Sequence, residues 1–122
     1  MAKGDDIQER LIGLAVSIAR LCDSLSRSVP STHISNQLIR CGTAPAAHYG
    51  EARSGESKKD FIHKLGIALK ELNECLVWLQ LLKRLGFVEE KSIDSILTEC
   101  TELCRILSAS IKTASGKQNK NS

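Results

Sequence analysis

The sequence predicts an all-α fold, an antiparallel up-down-up-down four-helix bundle, from three observations. Apolar residues recur in steps of three and four through four long stretches. The links between those stretches are short, which makes successive helices antiparallel neighbours. Aromatic residues make up 3% of the chain and there are only two prolines, Pro30 and Pro45, which argues against a β-sandwich. The 122 residues suit one domain, and 42% hydrophobic with 25% charged residues is an ordinary balance for a folded chain.

The first stretch runs from Asp5 to about Ser28. Ile7, Leu11, Leu14, Ile18, Leu21 and Leu25 form its apolar stripe. Asp5 or Asp6 suits the N-terminal cap and dipole, and Pro30 is expected to stop the helix. The second stretch runs from Ser31 or Thr32 to Arg53, with Ile34, Leu38, Cys41, Ala44 and Ala47 or His48 facing inward. Pro45 removes one helical hydrogen bond, so a kink near 41–45 is expected rather than two helices. The small residues of Cys41–Ala47 allow close approach of a neighbour, and Gly55 is expected to end the unit.

The third stretch carries the clearest boundaries. Ser57-Lys-Lys-Asp60 is a Ser-x-x-Asp start close to a capping box, and Gly86 is a helix-ending glycine. Lys58 to Leu85 would span about 40 Å at roughly 1.5 Å per residue. The fourth stretch, Glu89 to Thr113, places Ile93, Ile96, Leu97, Cys100, Leu103, Cys104, Leu107 and Ile111 on one stripe. Residues 1–113 are therefore expected to form the bundle, and 114–122 a disordered tail without apolar pattern.

Helix 3 is apolar around more of its circumference than one core needs. Leu76, Val77, Trp78, Leu79, Leu81, Leu82 and Leu85 are interrupted only by Gln80, Lys83 and Arg84. An enclosed central helix is one reading. A subunit interface through Val77, Trp78, Leu81 and Leu85, with Trp78 as anchor, is the other; a small bundle has no fully enclosed helix, which favours it.

The formal net charge is +3, which permits nucleic-acid contact without demanding it. Arg53, Lys58, Lys59, Lys64 and Lys70 cluster around the start of helix 3, where a helix N-terminus beside cations suits phosphate. A solvated charged face is the plainer reading, and stacking aromatics are scarce. His48 and Glu51 stand at i, i+3, a spacing that serves acid–base chemistry or a simple polar contact. No nucleophile motif, phosphate loop or His-x-x-x-His spacing accompanies them, so the chain reads as non-enzymatic and without a cofactor.

The five cysteines, Cys22, Cys41, Cys75, Cys100 and Cys104, are odd in number and lack a Cys-x-x-Cys pair. Cys100 and Cys104 could be half a metal site, but no second ligand pair completes it. No apolar run is long enough for a membrane span, and no signal peptide opens the chain. Reduced thiols and a cytoplasmic location are the expectation.

Two segments resemble the bacterial "four helix bundle protein" family, also known as the intervening-sequence ribosomal protein family. Asn36-Gln-Leu-Ile-Arg-Cys-Gly-Thr43, with the following Ala-Pro-Ala-Ala-His-Tyr-Gly-Glu-Ala52, is similar to its helix-2 signature. Ser57-Lys-Lys-Asp-Phe-Ile-His-Lys-Leu-Gly-Ile-Ala-Leu-Lys-Glu71 and Glu74-Cys-Leu-Val-Trp-Leu79 are similar to its helix-3 signature. The resemblance covers roughly residues 7–112. His48 stands where the family usually has Asn, and Pro45 where it has a β-branched or similar residue. The resemblance implies an antiparallel four-helix bundle and a homo-oligomer, since related proteins form pentameric rings with a central channel. One similar group, the accessory variability determinants of diversity-generating retroelements, comprises basic pentamers that bind nucleic acid and a reverse transcriptase. The implied partners are therefore further copies of the chain and RNA, DNA or a nucleoprotein.

Overall fold

The computed structural model describes residues 3–116, and the described residues form four helices and no strand. They are α1 (Lys3–Ser24), α2 (Val29–Arg53), α3 (Lys58–Leu85) and α4 (Glu90–Ser115). α1 packs on α2, α2 on α3, α3 on α4, and α4 closes back on α1; the diagonal helices stand further apart across the shared core. This is the expected four-helix bundle. The core is aliphatic, with Leu11, Ile18, Leu38, Leu65, Leu72, Leu79, Leu82, Ile93, Leu103 and Leu107 fully buried.

Local chemistry sets the helix ends. α1 stops at Ser24, short of the expected Ser28. The Ser24 hydroxyl donates to the Leu21 carbonyl at 2.7 Å, and the Leu25 amide turns back to the Cys22 carbonyl. Ser28 belongs to the next helix, whose N-cap it is, accepting from the Ser31 amide. Pro30 therefore opens α2 instead of merely ending α1. In the first turn its missing N–H has no helical partner to lose, and its fixed φ is already helical.

α2 continues through buried Pro45 as one helix. Its inner face differs from the expected one beyond Cys41. Gly42, Pro45, Tyr49 and Ala52 are buried, whereas Ala44, Ala47 and His48 are not. Ala47 lies exposed on the outer side. Ser54 forms the C-cap of α2, its hydroxyl bonding back to Gly50, so Gly55 does not end the helix by a left-handed turn.

α3 begins and ends as its sequence signals. The Ser57 hydroxyl accepts from the Asp60 amide at 3.0 Å, and Gly86 closes the helix at φ 70°. α4 starts at Glu90 and runs to Ser115, two residues beyond the expected end, with Gly116 at φ 73° as its left-handed cap. Of the expected tail, Ala114 and Ser115 thus extend α4, and residues 117–122 lie outside the described residues.

Candidate interaction surfaces on helix 3

The outer face of α3 is the side opposite its buried stripe of Leu65, Ala68, Leu72, Cys75, Leu79 and Leu82. Helical spacing puts Lys59, His63, Lys70, Val77, Leu81 and Arg84 there. The face divides along its length. Its N-terminal half is basic, and its C-terminal half exposes Val77 at 59%, Leu81 at 40% and Leu85 at 46%.

Trp78 lies apart from these three. It is half-buried between α2 and α3, its indole N–H donating to Glu74 Oε2 at 3.2 Å. The edge of its ring meets His33 with centroids 5.5 Å apart. Of the four residues expected at an interface, three project into solvent and Trp78 braces the subunit itself.

The five expected cations also divide. Arg53 Nη2 binds Asp5 Oδ1 of α1 at 2.6 Å, and Lys64 Nζ binds Glu51 Oε1 of α2 at 3.1 Å. Lys58, Lys59 and Lys70 are exposed and form no ion pair among the described residues. Lys58 and Lys59 sit in the first turn of α3, at the positive end of the helix dipole, and Asp60 shares that turn.

The Lys64 contact decides the fate of the His48–Glu51 pair. Lys64, with His48 behind it, holds the Glu51 carboxyl below the usual range. His48 Nδ1 stays 3.7 Å from Glu51 Oε1, too far for a hydrogen bond, and has no other hydrogen-bond partner among the described residues.

The structure also assembles groups that are far apart in sequence. Cys41 and Cys75 face each other across α2 and α3 with their sulfurs 3.2 Å apart. The Cys100 thiol lies against the Leu72 carbonyl at 3.5 Å. The Cys100 and Cys41 thiols, together with burial, hold Cys75 far above the ordinary thiol range. These three thiols are packing groups of the core. No group of three or more His, Cys, Asp or Glu among the described residues could hold a metal ion.

Between α1 and α4, Arg10 donates to Glu99 at 3.0 and 2.7 Å and to Glu102 at 2.5 Å. Sequence reading missed this clamp. Its only local trace is the i, i+3 spacing of the two glutamates, which does not point to an arginine 89 residues away. Beside it a cleft of about 790 Å³ is walled by Tyr49, Phe61, Arg53 and Ile106.

The comparisons agree with this architecture. Residues 5–109 match the family described as 23S rRNA-intervening sequence protein. The chain is also similar to a crystal structure of a protein of unknown function from the S23 ribosomal protein family of Bacteroides thetaiotaomicron. The identity is 35%, the TM-score 0.82, and the match covers 91% of this chain and 99% of that one. A comparison with curated proteins finds no match.

Proposed function

This chain belongs to the 23S rRNA-intervening sequence protein family, and from that premise we propose a non-enzymatic homo-oligomer that binds or scaffolds. It assembles as a ring, with the pentamer of similar proteins as its form, and contacts nucleic acid or a nucleoprotein in the cytoplasm. The observation that carries this reading is the division of the α3 outer face. Exposed Val77, Leu81 and Leu85 supply an apolar patch for subunit contact. The unpaired Lys58 and Lys59 supply a separate anionic-ligand site one helix half away.

Two measurements test the halves separately. Light scattering at micromolar concentration is expected to give a particle several times the 13.3 kDa chain, and a 13.3 kDa particle would overturn the oligomer. Binding to RNA and DNA is expected to weaken steeply with salt. Lys58→Glu with Lys59→Glu is expected to remove most of it, with helix content unchanged. Unaltered binding would displace the site from α3. No salt-sensitive binding at all would favour a module whose partners are proteins alone.

A further inference from the structure

Within the homo-oligomer reading, we infer that the outer face of α3 in one copy docks against the outer face of α1 in the next. The contact is parallel, with a fixed seven-residue register. The first observation is a second exposed apolar patch. Ile12 and Val16 are 42% and 43% exposed, on the side of α1 opposite its buried stripe of Ile7, Leu11, Leu14, Ile18 and Leu21. α1 and α3 are diagonal partners whose backbones do not approach each other, and their outer faces point away from each other. One molecule therefore carries two different patches on opposite sides. That arrangement suits a head-to-tail contact, which forms a ring where the rotation closes, rather than a two-fold dimer.

The second observation is charge. On α1, Glu9 and Asp23 flank Val16 by seven residues on either side. On α3, Lys70 and Arg84 flank Val77 by the same interval. All four charged residues are exposed and form no ion pair among the described residues, although many other charges in the bundle are paired. Seven residues advance about 10.5 Å and nearly two turns, so each triplet lies along one line of its helix. Laid parallel, the lines match: Glu9 meets Lys70, Val16 meets Val77, and Asp23 meets Arg84. In this register Ile12, one turn before Val16, lies level with Asn73, and Leu81, one turn after Val77, lies level with Arg20, so the apolar contact centres on Val16 and Val77 with Ile12 and Leu81 at its two ends.

The orientation is consistent with the fold. In an up-down-up-down bundle α1 and α3 run in the same direction. A rotation about an axis along the bundle keeps α1 of one copy parallel to α3 of the next. An antiparallel meeting would place Glu9 against Arg84 and Asp23 against Lys70, and would reverse the chain direction, which such a rotation cannot do. Lys70 is thereby assigned to the subunit contact, leaving Lys58 and Lys59 as the free cations at the helix start.

The test uses two face variants of the full chain, each checked for native helix content. One carries Ile12→Glu and Val16→Glu; the other carries Val77→Glu and Leu81→Glu. Each alone is expected to be monomeric, because either loss removes one side of the only contact. Mixed in equal amounts, they retain one intact α3 face and one intact α1 face, and are expected to give a particle of two chains and no larger. If the wild type assembles but either variant also assembles alone, or the mixture stays monomeric, the inference fails while the oligomer reading stands. A monomeric wild type would overturn both. The register is tested by charge reversal. Glu9→Lys is expected to weaken assembly by about tenfold or more, and Lys70→Glu in the same chain to restore it. Absence of that rescue would overturn the register.

Discussion

The α2–α3 seam and the α1–α4 seam are built from different chemistry. α2 and α3 share the most extensive contact in the bundle, and the interior there is sealed from the surface: Leu38, Cys41, Leu72, Cys75 and Leu79 are all fully buried. α1 and α4 share the least, and clefts of about 680, 790 and 760 Å³ run beside their junction. What spans that junction on the surface is Arg10 with its two glutamates. Apolar burial stabilises in proportion to area removed from water, whereas half-exposed ion pairs contribute little. The fold should therefore depend on the first seam for stability and on the second for alignment.

The largest expected effect tests the buried α2–α3 seam. Leu72→Ala removes a fully buried side chain from the middle of α3 and should cost about 2–5 kcal/mol in chemical denaturation. A cost below about 1 kcal/mol would mean the seam collapses around the gap. The next effect lies where α1 meets α2. A β-carbon at Gly42 would come within 2.8 Å of Cδ1 and Cγ2 of Ile18. Ile18 is fully buried and stiff at its branched carbon, so it has nowhere to move. Gly42→Ala should therefore destabilise by about 1–3 kcal/mol despite the better helix propensity of alanine. A neutral or stabilising result would show that α1 can shift outward.

The contrast between seams also explains what the sequence could reveal. The α1, α3 and α4 stripes were legible because Leu and Ile at helical steps have one meaning. The second half of α2 was not. Its inward positions are Gly42, Pro45, Tyr49 and Ala52, and its outward ones include Ala47. With small residues on both sides there is no hydrophobic contrast, and the reading slipped by one position after Cys41. Pro30 was misread because proline both ends one helix and begins another. The four-residue link placed it in the second role. The excess of apolar residues on α3 was legible as an excess, but not its division. Trp78 stays with the subunit because Glu74, one turn earlier on α3, and His33 of α2 hold it, and the His33 contact exists only after α2 folds beside α3. Likewise, the basic cluster was visible as five cations, while the ion pairs that bind Arg53 and Lys64 come from α1 and α2.

The smallest expected effect tests the polar seam. Arg10, by hydrogen bonding and then by charge, holds the Glu102 carboxyl below its usual range. A carboxyl depressed in the folded state contributes stability above its unfolded-state pKa and loses it as pH falls through the folded value. The bridge should thus be intact at neutral pH and dissolve in the acid range below the ordinary glutamate pKa. Arg10→Gln removes the cause of the depression, so the variant should lose thermal stability at neutral pH by only about one or two degrees. The gap between variant and wild type should close on acidification, because both then carry a neutral Glu102. A gap that persists at low pH would mean that Arg10 acts through the packing of its methylene stem where it lines the clefts. A gap much larger than a few degrees at neutral pH would remove the distinction between the two seams, since the half-exposed clamp would then rank with the buried leucines.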